Sequence, residues 1–189
     1  MQRLAVPPSI VARPSPTPGF WLARRWYYTP KTHRAYSVRQ ISPGDRRLLA
    51  EFVLTLTRAA AERDGQDMRE FTELLLDRVL GATNASAGFI ALENTTTGDR
   101  VIGVSAYATS RAGAADFRVA VANSFREEQV GRTLLSTLLQ HARRVGVVRL
   151  DGEMFWSNRA MQVLATSMGF AISPLQRDRS RRSLVLPLK

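Results

Sequence analysis

The chain has 189 residues, 44% of them hydrophobic and 23% charged, with 27 basic and 16 acidic side chains and a formal charge of +11. That composition is ordinary for one globular domain, which at this length buries roughly two-thirds of its unfolded surface. The absence of cysteine excludes disulfides, thiolate metal sites and a cysteine nucleophile. The two histidines, His33 and His141, lie far apart in sequence, so no metal is expected.

The charge is uneven along the chain. Residues 1–44 carry Arg3, Arg13, Arg24, Arg25, Lys31, Arg34 and Arg39 and no acid, whereas the other 145 residues hold 20 basic and 16 acidic groups. Six of the nine prolines lie within residues 1–30. Residues 1–35 are therefore expected to be a basic, Pro-rich tail, disordered or loosely docked. Its aromatic residues Phe20, Trp21, Trp26, Tyr27 and Tyr28 interleave with Arg24 and Arg25, a pattern that also suits a nucleic-acid, membrane or protein contact. Neither nucleic acid nor a membrane is the expected partner, because most of the excess charge is confined to this segment. No apolar run reaches a signal-peptide core or about 18 residues, so a cytoplasmic location is expected. The modestly basic remainder suits a polyanionic small ligand.

From Tyr36 onward the hydrophobic pattern is regular. Tyr36–Ile41 alternates as a strand does. Ser42, Pro43 and Asp45 suit the start of a helix whose apolar stripe is Leu48, Leu49, Phe52, Val53 and Leu56. Phe71, Leu74, Leu75, Leu76, Val79 and Leu80 predict a second helix closed near Gly81. Strands are expected at 87–93 and 101–108, joined by a turn at Gly98-Asp99, and at 115–122. A helix follows over about 129–145, then a strand at 147–152, a helix at 158–168 stopped by Gly169, and one or two strands to the end, the clearer at 183–188. Antiparallel hairpins followed by helical crossovers predict an α/β (α+β) domain over residues 36–189, a mixed sheet with helices on both faces. Phe155 and Trp156 are expected in the core, with the lining of an acceptor site as the alternative; His141 is expected at the surface, and Arg177, Arg179, Arg181 and Arg182 in a solvated hairpin, with an acidic partner or ligand phosphate as the alternative.

The stretch from Asp116 to Phe170 carries the chemistry. Arg126-Glu127-Glu128-Gln129-Val130-Gly131-Arg132-Thr133 joins a strand to a helix, and Asn158, Met161, Gly169 and Phe170 mark the last helix. With Arg126 and Gly131 in the loop, this resembles the GNAT superfamily pattern Q/R-x-x-G-x-G/A followed by N-x-x-(A/M) and Gly-Phe. With Gly152-Glu153 ahead of Asn158-Arg159-Ala160-Met161 and the opening Val38-Arg39, Pro43 and Asp45, it is most similar to the GNAT domains of bacterial protein-lysine acetyltransferases. The resemblance implies a mainly antiparallel sheet of six to seven strands with about four helices. It also implies an N-acetyltransferase that uses acetyl-CoA as co-substrate and an amine as acceptor, a protein lysine before a small amine.

Carried over residue by residue, the backbone of Val119 and Val121 would pair with pantetheine, as an added strand does. The loop from Arg126 to Thr133 would hold the pyrophosphate on the free N–H groups of a helix start. Asn158 and Met161 would line the pantetheine arm. Asp116, in the run Ala115-Asp116-Phe117, stands where the family has a glutamate base, with Phe117 beside it to desolvate the carboxylate. The position of the family's tyrosine acid is Ala165, which has no hydroxyl.

Three residues depart from the pattern. Gln129 replaces a glycine, and Glu127 and Glu128 bring two carboxylates to an anion site. One carboxylate 5–6 Å from a phosphate charge costs about 3 kcal/mol at an effective dielectric near 20. The alternative expectation is therefore a non-catalytic module of the same fold that senses CoA or serves as a scaffold.

Overall fold

The structure, a computed structural model, describes residues 24–60, 72–73, 80, 86–110 and 113–188. Alternating apolar residues build an eight-stranded sheet. The strands are β1 (Arg25–Tyr28), β2 (Ala35–Gln40), β3 (Ser86–Thr95), β4 (Gly98–Thr109), β5 (Ala114–Val121), β6 (Arg149–Phe155), β7 (Ala171–Leu175) and β8 (Asp178–Pro187). Their spatial order is β1-β2-β3-β4-β5-β6-β8-β7. Every neighbouring pair is antiparallel except β5 and β6, which are parallel.

Three helices are described: α1 (Arg46–Ala60), α2 (Val130–Arg144) and α3 (Arg159–Ser167). The helix expected at 71–80 lies largely outside the described residues. Strand positions alternate between two cores. Leu49, Phe52 and Val53 of α1 pack with Ile90, Leu92, Val104 and Ala106 on one face. Leu134, Leu135, Leu138 and Ala142 of α2 and Ala165 of α3 pack with Phe89, Ala91, Tyr107 and Phe117 on the other. A bulge between Ala91 and Leu92, with Ile102 as the extra residue of β4, puts Val101 on the same face as Val104 and Ala106.

The first helical turn differs slightly from expectation. Pro43–Asp45 forms a 3-10 turn and α1 begins at Arg46. Asp45 is buried and closes this corner: its carboxylate accepts from the Ser42 backbone N–H at 2.8 Å and from both Arg39 Nη atoms at 2.6 Å. Burial opposes its charge, but Arg39 and Ser42 outweigh that and hold its carboxyl below the usual value.

Three expectations change. Part of the segment expected as a tail forms β1, with Tyr27 stacked on Tyr36 at 5.5 Å. Trp156 is 45% exposed rather than in the core, lying between the guanidinium groups of Arg159 and Arg182, because the strand that carries it ends at Phe155. His141 is half-buried, because the stripe of α2 that packs on β4 continues to it; its Nδ1 lies 3.0 Å from the Tyr107 hydroxyl.

Candidate active site

The sheet splits at its one parallel seam. β5 and β6 pair only at Ala114–Arg149, Ala115–Leu150 and Asp116–Asp151. Beyond that point β5 runs on to Val121 beside β4, and β6 runs on to Phe155 beside β8. The strands thus form a fork with Asp116 at its root.

Phe117 sits where they part. Its ring lies against the backbone of Gly152, where a Cβ would come within 2.6 Å of Phe117 Cε1. On its other side the ring meets Phe170, with centroids 5.0 Å apart. The ring packs on the α2 and α3 side of the sheet where the ladder ends.

Backbone direction along β5 follows from its outer bonds. The Ala114 carbonyl accepts from Ser110 N–H, and Ala122 N–H donates to the Ile102 carbonyl, so even-numbered groups point to β4. By alternation Phe117, Val119 and Val121 direct their N–H and C=O groups into the fork. Their side chains share the face of α2 and α3, where Val119 and Val121 pack on the core. Asp116 therefore projects to the opposite face. It is exposed, so the desolvation expected from Phe117 is absent: neighbours along a strand face opposite ways.

The loop leaves the tip of β5 as a short 3-10 turn, Asn123–Phe125, and enters α2 through Gln129. Gln129 has φ 59°, the left-handed region where glycine is favoured. The first N–H groups of α2, those of Val130, Gly131 and Arg132, have no carbonyl four residues earlier within the helix. Gly131 faces the fork: a Cβ there would touch Val121 Cγ2 at 3.4 Å and Leu164 Cδ2 at 3.5 Å. Arg132 reaches across to α3 and donates to Ser167 Oγ at 3.0 Å. The Thr133 hydroxyl lies 2.9 Å from that of Tyr36. Arg126 is exposed.

The two acidic departures are engaged by the turn between β1 and β2. Glu127 pairs with the Lys31 ammonium, and Glu128 accepts from the Lys31 backbone N–H at 3.0 Å. Asn158 caps α3, its Oδ1 accepting from Met161 N–H at 3.1 Å, and Met161 packs half-buried against the core. Gly131 thus meets Val121 and Leu164 of α3 at the open end of the fork, while Asp116 stands at its root on the opposite face. Sequence reasoning missed Gly152, Lys31 and Thr32. The turn meets the loop across 97 residues, a pairing with no local signal.

The sequence profile of the Acetyltransferase (GNAT) family matches residues 50–170. The chain belongs to that family. This acetyltransferase is similar in fold to the GNAT domain of S. lividans PAT, with 19% identity, a TM-score of 0.66 and coverage of 92% of this chain and 100% of that one. It is also similar to a PaiA N-acetyltransferase from Thermoplasma acidophilum in complex with coenzyme A, with 15% identity, a TM-score of 0.64 and coverage of 80% and 98%. A third likeness is to the ribosomal-protein-S18-alanine N-acetyltransferase from Escherichia coli, with 17% identity, a TM-score of 0.58 and coverage of 82% and 94%. No curated protein matches the sequence. Among the described residues of the acetyltransferase, no helix is long and apolar enough to cross a membrane, and no three His, Asp or Glu side chains group as a metal site would require.

Proposed function

We propose that the protein moves an acetyl group from acetyl-CoA directly to an amine, with a protein lysine as the first-choice acceptor and a small amine second. The observation that carries this reading is the fork. Val119 and Val121 offer unpaired strand backbone, which the amides of pantetheine can meet as an added strand would. The start of α2 at the fork's open end offers N–H groups and the positive end of a helix dipole to the pyrophosphate. Gly131 keeps that approach open.

Asp116 at the root takes the proton that the incoming ammonium must lose, directly or through one water. It projects to the face opposite α2 and α3, so donor and acceptor would approach from opposite faces of the sheet. The amine nitrogen then attacks the thioester carbonyl, the C–S bond breaks to release the CoA thiolate, and the thiolate ends protonated by the proton that the new amide nitrogen sheds. That thiolate is a good leaving group, so Ala165 in place of a tyrosine is no obstacle. With Asn158 Oδ1 engaged in capping α3, its amide nitrogen is the atom left to bond a pantetheine carbonyl. A bacterial, cytoplasmic setting belongs to the same reading. The non-catalytic alternative rested on charge in the loop, and both carboxylates are engaged by the β1–β2 turn.

Calorimetric titration with acetyl-CoA at moderate salt tests the donor site. Micromolar binding is expected, lost in Gly131→Glu; no binding up to millimolar concentration would sink the reading. With an active acceptor in hand, Asp116→Ala should lower kcat by about a hundredfold or more. An unchanged kcat would remove Asp116 from the base role.

A further inference from the structure

The loop between β5 and α2 is gripped by a part of the chain outside the span matched by the family. Three contacts reach it from the turn at residues 29–34. The Arg34 guanidinium lies 4.3 Å from the ring centroid of Phe125, a residue only 1% exposed. The Lys31 ammonium pairs with Glu127 at the surface. Glu128 is 5% exposed, and its Oε2 accepts from the Lys31 backbone N–H at 3.0 Å. Burial opposes charge on Glu128, yet the N–H groups of Lys31 and Thr32 and the Thr32 hydroxyl hold its carboxyl below the usual value.

The turn itself is well fixed. Thr29 is fully buried. Its hydroxyl accepts from Arg34 N–H at 2.8 Å and lies 2.8 Å from the Thr32 hydroxyl, and its carbonyl accepts from His33 N–H at 3.0 Å. Donors held this way anchor a loop better than a flexible surface cation does.

On charge alone, a carboxylate two residues before α2 weakens phosphate binding. The hydrogen bonds argue the reverse. Resting on the acyl-CoA reading above, we propose that Glu128 is a positioning residue for the pyrophosphate. Its carboxylate fastens the loop to the β1–β2 turn, which holds Gln129 in the left-handed conformation and aims the N–H groups of Val130, Gly131 and Arg132. The N-terminal hairpin is thereby part of the donor site.

The test compares the full-length wild type with Glu128→Ala, Glu128→Gln and Thr32→Val. The measurements are the Kd for CoA, KM and kcat with acetyl-CoA, and turnover of S-acetyl-pantetheine, which lacks the pyrophosphate. The alanine variant should weaken CoA binding about tenfold or more. Glu128→Gln keeps one acceptor oxygen and should lose less, about threefold; it carries the comparison if the alanine variant does not fold. Thr32→Val, which removes one donor, should shift Kd the same way. KM should rise while kcat at saturation holds, and S-acetyl-pantetheine turnover should not change. CoA binding equal to or tighter than wild type in Glu128→Ala and Glu128→Gln overturns the proposal. So does an equal loss toward CoA and S-acetyl-pantetheine, which would mark general damage. Wild-type protein that ignores CoA overturns the donor-site reading as well, whereas wild-type binding with unaffected variants overturns this inference alone.

Discussion

Gln129 holds one of two positive φ values among the described non-glycine residues, and it does so at the entrance to α2. A side chain in the left-handed region costs about 1–2 kcal/mol. Glycine relieves that strain but gives up about 0.5–1 kcal/mol of unfolded-chain entropy. Strain is the larger figure, so Gln129→Gly should stabilise the protein by about 0.5–1 kcal/mol, read as a rise in the urea midpoint at unchanged slope. A drop in midpoint would mean that the Gln129 side chain makes contacts worth more than its strain. The same position shows why the family favours glycine there: the loop needs a left-handed residue to turn from the 3-10 turn at Phe125 into the helix. A carboxylate or amide at such a site is no sign of a lost function, because what matters to an anion is where the following N–H groups point.

Among the elements, the root of the fork holds a glycine, Gly152, packed directly against an aromatic ring. A methyl group at 152 would stand 2.6 Å from Cε1 of Phe117, and Phe170 backs the ring on its other side. Gly152→Ala should therefore cost about 1–3 kcal/mol, as overpacking of a filled core does. Thermal unfolding checks it, and an unchanged midpoint would show that the ring moves freely. The strands β2 to β5 and the helices α2 and α3 were legible in the sequence because alternation and helical spacing are local and each faces a buried layer. The loop between Arg126 and Thr133 was legible as a connection, since a strand, a turn and a glycine-bearing helix start follow one another there. β1 was not legible. Two of its four residues, Trp26 and Tyr28, are exposed and surrounding prolines mask its alternation; it is a strand because β2 offers it a ladder. The role of Gly152 was hidden for a similar reason, since its small size matters only once Phe117 arrives from another strand.

At the scale of the whole molecule, two cores share one sheet, and a buried polar contact ties α2 to it. Burial pushes the Tyr107 hydroxyl up to about 12 and lowers His141 from its ordinary 6.5, so near pH 7 both are neutral, with the hydroxyl and His141 Nδ1 in a hydrogen bond of 3.0 Å. The pH dependence of stability follows. Unfolded tyrosine ionises near 10, so the contribution of Tyr107 is full below that and is lost as pH rises from about 10 to about 12. Unfolded histidine takes up a proton near 6.5, so the contribution of His141 is full above that value and is lost as pH falls below it. Stability measured by urea titration should thus be highest between about 6.5 and 10, and Tyr107→Phe should shrink the alkaline decline. An alkaline limb equally steep in that variant would assign it to other groups.

The fork has a further consequence for solubility. An unpaired strand edge at the rim of a sheet can template the addition of another chain and so seed aggregates. Here the open backbone of Phe117–Val121 and Gly152–Phe155 lies inside the sheet, on two walls that converge. Each wall is only a few residues long, shorter than a typical strand. A strand from a second molecule that entered between them could add no further strands beyond itself, because both walls already belong to one folded chain. The fold thus keeps strand backbone open while avoiding the open-ended growth that such backbone invites at an edge.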